Sequence, residues 1–327
     1  SANTLAIDSC PGGFYILSDT DIKIYDQTGS LRLTEQYTYT SPAICAGEYG
    51  TVVYDRDGTG YMIIKKYKLV FQGDSGGGNI LTVTVGKNGN RAFSVRSSDA
   101  TSVLKVTDSK ANDLFIFNCA YEHIISIALS DDGKYIAAAS IGAEDGDIMS
   151  TVYVFSYDYK EALYTHIFEG ETVINVRFLS NSLLNIFTDG GIYTVKKLDE
   201  LTEVKTFYSS ELGYFSNADN GISVLASTKY GSSNLCELFV TDKKGKELFT
   251  KDVEKSVSDV YTNGKYVFLL ADNNVLVYNL NGECINEIKL NADTEKIFAN
   301  NRYIYFCSSD KISREFAIGS TTEGETG

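Results

Sequence analysis

The chain has 327 residues, with 29 Lys and Arg against 43 Asp and Glu, a net charge of −14 and a mean hydropathy of −0.12. An acidic surface repels phosphate backbones, which excludes nucleic acid as a partner. No apolar stretch of about twenty residues and no basic amphipathic helix is present, which excludes direct membrane insertion by these residues.

In chain order, a turn-terminated apolar run is followed eight times by a second run of the same kind. The second runs are Phe14–Asp19, Thr51–Arg56, Arg91–Ser97, Tyr135–Ile141, Leu183–Asp189, Gly221–Lys229, Tyr266–Asp272 and Tyr303–Ser309. Their starts lie 37, 40, 44, 48, 38, 45 and 37 residues apart. A period of about 40 residues in an all-strand sequence is that of a β-propeller blade. The expected fold is all-β: a closed β-propeller of eight four-stranded antiparallel blades, or of seven if one irregular unit is an insertion. Strands A to D run from the axis outward, and the blade limits are 1–40, 41–78, 79–120, 121–170, 171–209, 210–255, 256–291 and 292–318. Residues 1–318 form a single domain in this reading.

Unit one carries a C–D turn, Tyr25-Asp26-Gln27-Thr28-Gly29, in which the aspartate bonds backbone amides ahead of it and glycine takes the left-handed position. The same turn recurs at Thr241–Gly245 and Tyr278–Gly282. Unit two contains Asp55-Arg56-Asp57-Gly58, read as a hairpin turn, with Asp55 and Asp57 as candidate calcium ligands. Its last segment, Gly73-Asp74-Ser75-Gly76-Gly77, reproduces the stretch around a serine-protease nucleophile. That chemistry needs a histidine base and a carboxylate behind it. Both histidines, His123 and His166, follow Ser75, and the segment falls at a blade junction, so it is read as a glycine-rich interblade loop.

Unit three opens with the A–B turn Lys87-Asn88-Gly89-Asn90, matched later by Asp219–Gly221 and Asn263–Lys265; glycine accepts the positive φ of such turns. Cys119 and His123 form a C-x3-H pair on successive strands, read as a buried thiol and a loop histidine. Unit four shows the repeat most fully: Ile124–Ser130, the turn Asp131–Lys134, Tyr135–Ile141, Ser150–Tyr157 and Leu163–Phe168. Between its strands B and C, Gly142–Met149 reads as a long loop whose Glu144, Asp145 and Asp147 are further calcium candidates. The last unit shows strands A to C without a clear D, and Gly319–Gly327 reads as a disordered polar tail. The opening Ser1-Ala2-Asn3, without methionine, is read as following a natural N-terminus expected upstream, and the strand closing the last blade is expected from there.

No C-x-x-C pair occurs among Cys10, Cys45, Cys119, Cys236, Cys284 and Cys307, which are expected to be free buried thiols. Neither a phosphate loop nor a dinucleotide fingerprint is present, so no cofactor is expected. No catalytic residue is assigned.

The segment Ser41–Gly50, followed by Val53–Gly58, resembles a family of "domain of unknown function" propellers from Gram-positive anaerobes. Ile127–Ala137 and Leu183–Val195 are similar to it in order and spacing. The resemblance implies a propeller held outside the cell by an N-terminal membrane helix upstream of residue 1. The functional expectation is a non-enzymatic extracytoplasmic recognition or scaffold module. Its partner is an unknown protein or a cell-wall glycan, bound by B–C and D–A loops at one end of the channel, such as Gly142–Met149, Gly73–Gly78 and Lys229–Asn234. One alternative is a propeller hydrolase or lyase with a carboxylate or metal site at the channel mouth, drawn from inner-strand residues such as Asp8, Arg177, Asp259 and Lys296. Another is a structural subunit of an envelope assembly.

Overall fold

The computed structural model describes residues 3–47, 49–144, 146–207, 210–232, 234–290, 293–300, 302–308 and 311–317, without the side chains of 144, 210 and 211. Strands are arranged in eight sheets, each a simple antiparallel meander in chain order. The chain divides into two compact units, Ser1–Phe207 and Tyr208–Gly327.

The first unit holds five four-stranded blades. Blade one is β1 (Thr4–Cys10), β2 (Gly13–Ser18), β3 (Asp21–Asp26) and β4 (Leu31–Gln36). Blade two is β5 (Pro42–Gly47), β6 (Gly50–Asp55), β7 (Gly60–Lys65) and β8 (Lys68–Asp74). Blade three is β9 (Ile80–Val85), β10 (Arg91–Val95), β11 (Ser102–Thr107) and β12 (Asp113–Cys119). Blade four is β13 (His123–Leu129), β14 (Tyr135–Glu144), β15 (Asp147–Ser156) and β16 (Tyr164–Glu169). Blade five is β17 (Val173–Ser180), β18 (Leu183–Thr188), β19 (Gly191–Lys196) and β20 (Glu200–Thr206).

The second unit holds blade six, β21 (Ser210–Asn217), β22 (Ser223–Lys229), β23 (Cys236–Thr241) and β24 (Glu247–Val253). Blade seven is β25 (Val257–Thr262), β26 (Tyr266–Ala271), β27 (Asn274–Asn279) and β28 (Cys284–Lys289). Blade eight is β29 (Lys296–Ala299), β30 (Tyr303–Cys307) and β31 (Ile312–Phe316), three strands among the described residues rather than four. All eight strand sets fall inside the expected blade limits. The predicted tail lies outside the described residues.

Middle strands such as β6, β10 and β26 are buried along almost their whole length, because neighbouring blades cover both faces. Outer strands alternate instead, as in β8 and β16. Apolar side chains from adjacent blades form the cores, for example Leu104, Phe115 and Ile124 with Ile136 and Phe155 between blades three and four.

Side-chain hydrogen bonds to backbone repeat with the blades. In four C–D turns, Asp26, Asp108, Asp242 or Asn279 accepts the amides two and four residues on, at 2.7–3.1 Å. Three of these are the turns read from sequence. The fourth escapes it because Ala111, at φ 69°, stands where Gly29, Gly245 and Gly282 stand elsewhere. An L-residue pays a steric penalty there that glycine avoids. Ala111→Gly is therefore expected to stabilise the chain by about 0.5–1 kcal/mol, a rise in urea midpoint, although Gly usually costs stability through the unfolded state.

A second repeated device was not read from sequence. Asp19, Asp55, Asp189 and Asp272, at the ends of the B strands, accept the amides of Asn3, Ser41, Thr172 and Ser256 just before the A strands, at 2.8–3.2 Å. Many of the acids on this chain thus bind its own backbone.

Candidate functional site

The chain leaves β12 at Cys119, crosses at Ala120–Glu122 and enters β13. Two hydroxyls hold the crossing. Thr101 donates to the Ala120 carbonyl at 2.8 Å. Buried Ser102 donates to the Glu122 carbonyl at 2.8 Å and accepts the Ile124 amide at 3.0 Å. Beside this crossing, β14 and β15 run ten residues each, against five or six in most middle strands, so their hairpin extends past the blade end.

Glu122 is folded over Gly142, where an added Cβ would stand 2.9 Å from its Cγ. Thr151 donates to Oε1 at 2.9 Å, Ser140 donates to Oε2, and the Tyr153 hydroxyl reaches Oε2 at 3.4 Å. Glu122 is half-buried and, among the described residues, has no cationic partner.

A cavity of about 410 Å³ opens here, lined by Phe117, Cys119, Tyr121, Glu122, Met149 and Tyr153 among others. The Phe117 and Tyr153 rings lie 5.3 Å apart, tilted by 51°. Tyr121 stands 91% exposed at the mouth. Burial, reinforced by the Glu122 charge, pushes the Tyr153 phenol up to about 12, so it keeps its proton at neutral pH. Burial likewise raises the Cys119 thiol, against amide hydrogen bonds that pull it down, so the thiolate nucleophile is suppressed.

The carboxylate clamp itself recurs. In blade five, Glu171 accepts Thr188 at 2.6 Å and Tyr193 at 3.1 Å, and sits over Gly190. A glutamate before strand A, bound by hydroxyls on strands B and C, is therefore a device of the fold. At Glu122 the clamp also borders the cavity and its aromatic lining.

A match to a family of unknown function, DUF5711, extends over residues 2–314. The chain belongs to the DUF5711 family. No curated protein matches it in sequence. Among solved structures, BamB from Moraxella catarrhalis is similar at 12% identity and a TM-score of 0.55, covering 96% of this chain and 95% of that one. A eukaryotic initiation factor is similar at 11% identity and TM-score 0.63, with 98% and 87% covered. The Dos1 propeller is similar at 15% identity and TM-score 0.51, with 97% and 81% covered. At such identities the likeness shows the fold alone, a β-propeller.

Of the acids proposed from sequence, Asp55, Asp57 and Asp147 fall among the described residues of this DUF5711 chain, and none of these three lines the cavity. Gly142–Met149 is not a long loop: β14 and β15 stay paired to Glu144 opposite Asp147. Asp147 is exposed at the start of β15, while Asp145 and the Glu144 side chain lie outside the described residues. Asp55 caps the Ser41 amide, and Asp57, at φ 62°, pairs with Arg96 at 2.9 Å. Among the described residues, no three His, Cys, Asp or Glu side chains come close enough to hold a metal ion.

Ser75 is buried and donates to the Gly78 carbonyl at 2.8 Å. Cys119 is buried, His123 is exposed, and no hydrogen bond joins them. His166 packs edge-on against Phe168, ring centroids 4.6 Å apart, and burial lowers its pKa. Of the inner-strand residues, Asp259 accepts the amides of Val260 and Ile297, and Asp8 accepts that of Ser9. In the second unit Tyr230 is exposed, while Lys229 is paired with Asp252 at 2.7 Å. All six cysteines are unbridged; Cys119, Cys236 and Cys307 are buried as expected, whereas Cys10 and Cys45 are half-buried and Cys284, on an outer strand, is exposed.

Glu122, Tyr121, Ser140, Thr151 and Tyr153 were not singled out by sequence. The available signal was the repeat of Glu122 with Tyr153 in Glu171 with Tyr193, one blade later.

Proposed function

We propose that this chain is a non-enzymatic recognition or scaffold module, held outside the cell, that binds a protein partner at the junction of blades three and four. The observation that carries the reading is Tyr121, 91% exposed at a cavity mouth whose backbone is pinned by Thr101 and Ser102. An exposed tyrosine on a rigid crossing is the kind of anchor that dominates protein interfaces, since little side-chain entropy is lost on binding. Ile148, 50% exposed near the tip of the neighbouring hairpin, adds apolar surface on the same rim. A protein partner suits a lining that includes Met149 and Phe117, with Ile148 exposed beside it, better than a glycan, which needs a denser set of polar donors. Catalysis is disfavoured because the thiol is raised, the phenol keeps its proton and the carboxylate is already bound by hydroxyls.

A photoreactive benzoylphenylalanine at position 121, in source cells, tests the reading. It is expected to crosslink one discrete protein, whereas the same group at Tyr159, beyond the opposite end of β15, is expected to give little. Absence of any product specific to position 121 would overturn the partner surface. Protease added to intact cells is expected to cut the chain, and protection alongside cytosolic markers would overturn the extracellular placement.

A further inference from the structure

We infer that the cavity at blades three and four binds an alkylammonium group, supplied by a lysine side chain of the protein partner. The inference rests on the reading of this rim as the partner surface. Glu122 presents a half-buried negative charge to the cavity, and the three hydroxyls around it bring hydrogen bonds without positive charge. Taking an uncompensated charge out of water is unfavourable, and a cation entering the cavity relieves that cost.

The walls suit a cation as well. Phe117, Tyr121 and Tyr153 all line the cavity, and aromatic faces attract ammonium ions. Met149 supplies a polarizable thioether beside them. Among the described residues no basic side chain lines the space, so it repels anions, and the net charge of −14 draws cations toward the chain. Its volume, about 410 Å³, lies in the range of small-ligand sites and accommodates a lysine stem.

The carboxylate geometry favours lysine over arginine. Thr151 occupies Oε1 and Ser140 occupies Oε2, so the two-oxygen face that a guanidinium fork needs is already engaged. A carboxylate offers about four acceptor positions, and an ammonium can use a single remaining one.

The test is calorimetric titration of the whole chain with Nα-acetyl-lysine N-methylamide and with its uncharged norleucine counterpart. The lysine compound is expected to saturate at millimolar concentrations and to bind at least tenfold more tightly than norleucine. Glu122→Gln is expected to remove that preference. Tyr121→Ala, at an exposed position that leaves folding intact, is expected to weaken lysine binding several-fold with an unchanged melting temperature. Equal binding of the two compounds, no saturable lysine binding, or full lysine affinity in both variants would overturn the inference. Crosslinking from position 121 separates the two readings. If the position-121 crosslinker captures the same partner with undiminished yield when Glu122→Gln is added, the surface stands and the ammonium site falls; if the position-121 crosslinker captures none with Glu122 intact, the surface itself falls.

Discussion

Replacing Phe155 with alanine is expected to lower the stability of the chain by about 4 kcal/mol, read as a large drop in urea midpoint. Phe155 is fully buried, with ring centroids 5.1 Å from Phe115, 4.7 Å from Phe117 and 5.8 Å from Tyr153. Truncation removes its transfer free energy and leaves a void that rigid strands on both sides cannot collapse into. Loss of Phe155 also takes away the support behind Phe117 and Tyr153, so lysine binding at the cavity should weaken along with stability. A change under about 1 kcal/mol would mean that blades three and four are not packed through this ring.

The glycine-rich segment at the junction of blades two and three predicts a contrast between neighbours. Gly78→Ala is expected to cost about 3 kcal/mol, because φ there is +90° and an added Cβ would stand 2.0 Å from the Arg96 carbonyl oxygen. Ser75→Ala removes one hydrogen bond to the Gly78 carbonyl and is expected to cost about 1 kcal/mol. Urea unfolding of the two variants compares them directly. The reverse order, or loss of partner crosslinking in Ser75→Ala at unchanged stability, would show that the serine has a role beyond holding the loop.

Turns were the most legible part of this chain. Their geometry is set within about five residues, by an Asp or Asn accepting nearby amides and by glycine at positive φ. Ala111 hid one such turn because the backbone tolerates the wrong residue at modest cost. Glu144-Asp145-Gly146-Asp147 misled for the opposite reason. Small and acidic residues suggest a loop, yet ten consecutive residues of β14 pair across to β15. Pairing is a property of two strands together, and composition along one of them does not report it.

The site was less legible than the fold. Its groups come from Phe117–Glu122, Ser140–Ala143 and Met149–Tyr153, and each stretch alone reads as ordinary strand or turn. The sequence by itself determined the blade period, the meander order and most turns, since these depend on local φ preference and on strand alternation. Only the tertiary structure decided that Glu122, bound by hydroxyls of its own blade as Glu171 is, also lines a cavity with Phe117, Tyr121 and Tyr153. That cavity forms where β14 and β15 run past the blade end beside the rings of blade three, contacts between residues far apart in the chain.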